Sequence, residues 1–284
     1  CLSSGSRTKR QSAAVASAQT LAVTQQSMSA VEILEWEFSP ADYFEESYEV
    51  VRDDYTLSVS LGKAEARIPA ELYGSDSEIR QKIHASLNDR FLGVQLLTFR
   101  PYTLSSPRRI RLHEDGRRDV FVELQAVSAI AMGGTLDLRI TVADGTVVAD
   151  TKADRIAEKR LLAERIEKFR PTSSTLASML ASFGAATRDP QNELVHLYEV
   201  RDAVSSLFGG KSPAMKALGI PDGSWSRLGQ LCNDEPLRQG RHRGKCGVSL
   251  RDATHAELEE ARELARSMLR AYVEFLANSD RSDG

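Results

Sequence analysis

Three cysteines in 284 residues, Cys1, Cys232 and Cys246, are too few and too odd in number to build a disulfide framework. That scarcity fits a reducing compartment, and a cytoplasmic location is expected. No stretch approaches the ~18 consecutive apolar residues of a membrane-crossing helix. The longest mild run, 127–132, has the length of a single strand, so no membrane partner is expected. The net charge of -3 excludes a generally basic nucleic-acid binder and confines any polyanion site to a local patch. Aromatic residues make up only 6% of the chain and do not interleave with cations, so no base-stacking platform is visible. Gly133-Gly134 leads into a strand-like stretch, whereas a phosphate-binding glycine loop leads into a helix. There is no Gly-x-Ser-x-Gly nucleophile motif, and no Cys-x-x-Cys pair for zinc. Neither a metal nor a cofactor is therefore expected, and Cys232 and Cys246 read as buried thiols.

What is present is a globular balance, with 41% hydrophobic and 27% charged residues. The length suits one large domain or two ordinary ones. Residues 1–30 stand apart, rich in Ser, Ala, Thr and Gln with Arg7, Lys9 and Arg10 and no acid. Such a composition buries too little surface to order itself, and it lacks the apolar stretch of a signal peptide. It reads as a disordered leader, with Met28 as the expected start of translation.

Residues 31–150 read as a β-rich α+β domain. Tyr55-Thr56-Leu57-Ser58-Val59-Ser60-Leu61 alternates with period two, and Gly62-Lys63 turns the chain into a second strand over 64–68. Ile79, Ile83, Leu87 and Phe91 recur every fourth residue, which predicts one helix after Gly74-Ser75-Asp76. Residues 94–99 read as a further strand. Asp115-Gly116 joins two strands as a hairpin, and 136–142 alternates again. The period then changes: 151–284 reads as an all-α domain, giving an α+β chain with an antiparallel N-terminal half. Asp189-Pro190 reads as the cap and first turn of a helix. Thr254-x-x-Glu257 is a capping box for the last one.

The densest polar feature is Arg238-Gln239-Gly240-Arg241-His242-Arg243-Gly244-Lys245. Over 231–251, Arg238, Arg241, Arg243, Lys245 and Arg251 face only Asp234 and Glu235, a local excess of three positive charges in an acidic chain. Guanidinium groups match phosphate oxygens bidentately, and Gly240 and Gly244 let backbone N–H groups come close to a ligand. Arg262, Arg266 and Arg270 either extend this patch or pair with Glu259, Glu263 and Glu274 as a solvated face. His242 sits among cations that disfavour its protonated form, which suits a general base acting on a ribose hydroxyl. Asn233, Gln239 and His196 are supporting polar groups; His196 either faces His242 or fills the core.

A helical half carrying Arg238, Gln239 and His242 just before a long terminal helix resembles the HEPN superfamily of small α-helical domains. Many of its members are metal-independent ribonucleases of defence and toxin systems. The resemblance covers at most 189–278 and implies RNA as partner, Arg238 and His242 as catalytic residues, and a site commonly completed by a second subunit. The three residues between Arg238 and His242 are fewer than the family's usual gap, and the two glycines suit a loop. Without the resemblance, the same residues leave two alternatives: a non-catalytic scaffold whose arginine loop anchors the last helix, or a sensor of nucleotides or small anions.

Overall fold

The structure is a computed structural model that describes residues 30–121, 137–141, 147–241 and 249–282. Its N-terminal part is an antiparallel sheet, as the alternating pattern predicted. The strands are β1 (Val31–Ser39), β2 (Tyr48–Val51), β3 (Thr56–Ser60), β4 (Lys63–Pro69), β5 (Thr103–Leu104), β6 (Arg108–Leu112) and β7 (Arg118–Phe121). They lie in the order β2-β3-β4-β1-β6-β7, with β5 pairing the end of β1. A separate antiparallel pair joins β8 (Arg139–Thr141) to β9 (Val147–Asp150).

Two helices fall within this part where one was expected. The short α1 (Ala70–Ser75) directly follows β4, and α2 (Ile79–Thr98) crosses the sheet. The predicted stripe of α2 is the buried one: Ile79, Ile83, Leu87 and Phe91 meet Leu34, Trp36, Leu57, Val59 and Ile68 of the sheet. Residues 94–99, expected as a strand, instead form the last turn of α2 through Thr98 and its cap at Phe99. The cause is burial on two sides. Val94 closes the sheet-side core, whereas Leu96 belongs to the helical core, so the two apolar faces merge into a run without clear period. Phe99 ends the helix at φ 54, a left-handed conformation, with its N–H donating to Gln95 O at 2.8 Å and its ring edge-on to Phe183.

The helical part comprises α3 (Thr151–Phe169), α4 (Ser174–Arg188), α5 (Glu193–Phe208), α6 (Lys211–Leu218), α7 (Asp222–Gly229) and α8 (His255–Ser282). Asp150 caps α3 through its side chain, accepting from Ala153 N–H at 3.0 Å. Asp189 does not cap α5. Its own N–H still bonds back to the Ala185 carbonyl of α4, and α5 begins three residues beyond Pro190. Leu194, Leu197 and Val200 of α5, and Met268, Leu269 and Tyr272 of α8, lie in one core with Phe183 and Trp225.

The two parts meet along α2 and α3, where charged groups are drawn inside. Glu167 of α3 accepts from Ser86 Oγ at 2.6 Å, Arg90 Nη2 at 2.9 Å and Arg52 Nη2 at 3.3 Å. Asp89, almost fully buried, pairs with Arg170. Among the described residues, no helix is long and apolar enough to cross a membrane.

Candidate functional site

The arginine loop grows out of an irregular helix end. From α7 the chain passes into a single π-helical turn, Gln230–Asp234, closed by Glu235 N–H to Gln230 O at 3.0 Å. Leu231 and Cys232 are both driven into the core there. The widened turn offers the Cys232 carbonyl to Arg241 N–H, at 2.9 Å. Gly240 packs over it: a Cβ at that position would lie 3.1 Å from Cys232 O and 3.3 Å from Leu237 O. Gly240 thus serves the loop's own folding.

The far side of the loop is stitched to the chain ahead of α8. Arg238 N–H donates to Arg251 O at 3.0 Å and Arg251 N–H to Pro236 O at 3.1 Å, with Leu237 and Arg251 forming a parallel bridge. The capping box is formed as predicted: Glu257 N–H donates to Thr254 Oγ1 at 3.2 Å and Thr254 N–H to Glu257 Oε2 at 2.8 Å. Gln239 also serves this helix start, its Oε1 accepting from Ala253 N–H at 3.0 Å.

The described arginines of the loop divide into two kinds. Arg251 grips Glu257 with both Nη atoms, at 2.8 and 2.7 Å. Those bonds, with the Thr254 N–H, hold the Glu257 carboxyl down at about 2. Arg241 donates to Asp202 Oδ2 at 2.9 Å, and its Cζ lies 4.4 Å from the centre of the Tyr198 ring. Arg238 differs. Its side chain is 63% exposed, and its carboxylate neighbour, Asp252, stands 3.8 Å away and 75% exposed. His242, Arg243, Lys245 and Cys246 lie outside the described residues.

Arg241 touches the wall of an open cleft of about 860 Å³ between α5, α6 and α7. Tyr198, Arg201, Asp202, Lys211, Trp225 and Asn233 line it. Arg201 stacks over Tyr198 at 4.1 Å and Trp225 at 5.6 Å, and its Nε is buried without a hydrogen-bond partner. Its guanidinium packs against Gly229, where any Cβ would collide with it. Asn233 donates to Asp234 Oδ1 at 3.1 Å on the cleft rim. Nothing local in the sequence singles out Arg201 or Lys211, because their setting comes from residues distant along the chain.

His196 is part-exposed, its Nε2 3.2 Å from Asp189 Oδ2 and its Nδ1 3.6 Å from Glu199. It is not a core residue, because two carboxylates draw it to the surface end of α5. Arg262, Arg266 and Arg270 do not extend the loop's patch. They bind Glu193 and Glu259, Glu263 and the Leu96 carbonyl, and Glu158, respectively. Cys232 is fully buried, and burial pushes its thiol up to about 12, so it is no nucleophile. Among the described residues, no group of His, Cys, Asp and Glu side chains is placed to hold a metal ion.

No protein-family model, curated protein or solved structure matches this chain.

Proposed function

We propose that the helical part is an RNA-contacting module in which the arginine loop meets the phosphate backbone, with Arg238 as its leading contact. The observation that carries this reading is the division of labour among the arginines. Arg241 and Arg251 fasten the loop to α5 and α8, which presents Arg238 on a held backbone with its guanidinium largely in solvent. Asp252 is itself exposed, so exchanging its weak pairing for a phosphate oxygen loses little. The HEPN-like motif adds a sharper version, in which His242 removes the ribose 2′-hydroxyl proton and Arg238 stabilises the phosphorane-like charge.

The test is fluorescence anisotropy with a labelled single-stranded RNA at two salt concentrations, with a denaturing gel run in EDTA. Binding should weaken uniformly across sequences in Arg238→Ala, with the salt slope reduced by about one. Metal-independent cleavage lost in His242→Ala would support the nuclease version. Failure of the parent protein to bind RNA at low salt would sink the proposal.

A second reading has a specific observation in its favour. The Arg251–Glu257 and Arg241–Asp202 pairs by themselves account for a scaffold whose loop anchors α8. It predicts that Arg251→Ala and Arg238→Ala differ in stability and that neither changes any RNA affinity.

A further inference from the structure

The cleft beside the arginine loop is walled by two helices. On α5, Tyr198, Arg201, Asp202 and Ser205 recur at helical spacing on one face. The other wall runs through Ser226 and Gly229 of α7 to Asn233 and Asp234 of the π-helical turn. Lys211 closes one end, its Nζ 3.1 Å from Ser226 Oγ and 2.6 Å from Asp222. Arg241 closes the other, donating from its side chain to Asp202 and from its backbone to the Cys232 carbonyl. The helical rise from Ser226 to Asn233 sets the two ends about 10 Å apart.

The ends differ in chemistry. Lys211 and Ser226 offer a cation and a hydroxyl, and Asp222, the carboxylate on Lys211, is 66% exposed. Exchanging so well hydrated a partner for a phosphate oxygen costs little. The opposite end offers acceptors. Asp234 is exposed and takes its one described hydrogen bond from Asn233, and Asp202 gives Oδ2 alone to Arg241. Between the ends, Arg201 bonds only neutral oxygens, the Trp225 carbonyl and the Tyr198 hydroxyl, and pairs with no carboxylate among the described residues. Its charge beneath the middle of the cleft favours an anion nearby.

A ligand with a phosphate at one end and N–H donors at the other is a nucleotide, and a cleft of about 860 Å³ has room for one such unit. We propose that the cleft seats one unpaired nucleotide of an RNA strand, its phosphate on Lys211 and Ser226 and its base donors on Asp234 and Asp202. The proposal rests on the RNA-contacting role of the arginine loop, whose Arg241 closes the cleft. It adds a substrate class, single-stranded RNA, because a paired base has already given those donors to its complement.

Guanosine monophosphate, guanosine and inorganic phosphate separate the two ends. They would be titrated into the full-length ¹⁵N-labelled chain and followed at the Trp225 indole and the Asn233 side-chain amide. The nucleotide should shift both signals and bind roughly fivefold or more tightly than guanosine or phosphate. Lys211→Ala should erase its advantage over guanosine, and Asp234→Ala its advantage over phosphate, with the rest of the spectrum unchanged. The proposal fails if the nucleotide moves neither signal at millimolar concentration, or if Lys211→Ala binds it as the parent does. Labelled RNA, single-stranded and as a duplex of the same sequence, tests the source. The single strand should bind roughly fivefold more tightly than the duplex and lose about threefold in Lys211→Ala. RNA binding that depends on Arg238 but is untouched by Lys211→Ala sinks the cleft and spares the loop. Nucleotide binding by a chain that binds no RNA sinks the strand as its source and leaves a free nucleotide as the ligand.

Discussion

The seam between the two parts and the arginine loop use the same chemistry, arginine on carboxylate, in opposite surroundings. At the seam the partners are inside: Arg90 and Glu167 have side-chain exposures of 7% and 19%, and Asp89, which takes Arg170, 2%. At the tip of the loop, Arg238 and Asp252 are 63% and 75% exposed. A buried pair cannot release its partner without stranding a charge, so it holds geometry. An exposed pair is already half-solvated and exchanges partners at small cost, so it can serve recognition.

The largest effect that would break this contrast is at Glu167. Glu167→Ala should destabilise the protein by about 3 kcal/mol, because Arg90 is left buried and Arg52 and Ser86 lose their shared acceptor. Urea unfolding followed by circular dichroism measures it, and a loss below about 1 kcal/mol would erase the distinction between seam and surface. Replacing both members, Arg90→Met with Glu167→Leu, should recover most of the loss, because no charge then remains to be desolvated.

Next in size is Gly229→Ala, which sets two tendencies against each other. Alanine favours the helix by about 1 kcal/mol, but its Cβ must displace the Arg201 guanidinium from Tyr198 and Trp225. We expect a net loss of about 1 kcal/mol in urea unfolding, with altered Trp225 fluorescence. An unchanged emission spectrum would mean that Arg201 does not define the cleft.

Smaller still is the acid response of the loop's anchor. Glu257 has an ordinary pKa of 4.5 and is held at about 2 in the fold, chiefly by Arg251. A depressed carboxyl contributes stability that is complete above its unfolded value and is lost as pH falls through the folded one. The contribution of Glu257 should therefore fade between about pH 4.5 and 2. Glu257→Gln should flatten the stability profile in that window relative to the parent and leave its slope between pH 6 and 8 unchanged. Glu45, also held at about 2 by Arg155 and Lys159, keeps part of the acid slope in the variant.

The same contrast decides what was legible in the sequence. The Ile79–Ile83–Leu87–Phe91 stripe and the Thr254–Glu257 box could be read because both the cause and its effect lie within a few residues on one helix. Residues 94–98 of α2 carry no legible helical period because they are buried by two cores at once. In the candidate site, the charge excess was visible but the roles of its members were not. The partner of Arg241 is 39 positions upstream, and Arg201 takes its setting from Trp225, 24 positions downstream. The fates of individual arginines are tertiary facts.

The smallest expected stability effect, and the one that sharpens the comparison most, is Arg238→Ala. Its guanidinium is mostly hydrated and its one described ion pair is long, so unfolding free energy should change by less than about 0.5 kcal/mol. The loop should survive the change because what holds Arg238 in place is its backbone, through the N–H on Arg251 O, and not its side chain. RNA affinity should nevertheless fall, by about three- to tenfold at low salt and less at high salt, as expected when one phosphate contact and its released counterion are removed. Arg251→Ala supplies the opposite pattern: a measurable loss of stability from the α8 anchor, with RNA affinity affected only as far as the loop loosens. A variant pair in which stability and affinity fall together would show that the exposed arginine is as structural as the buried ones.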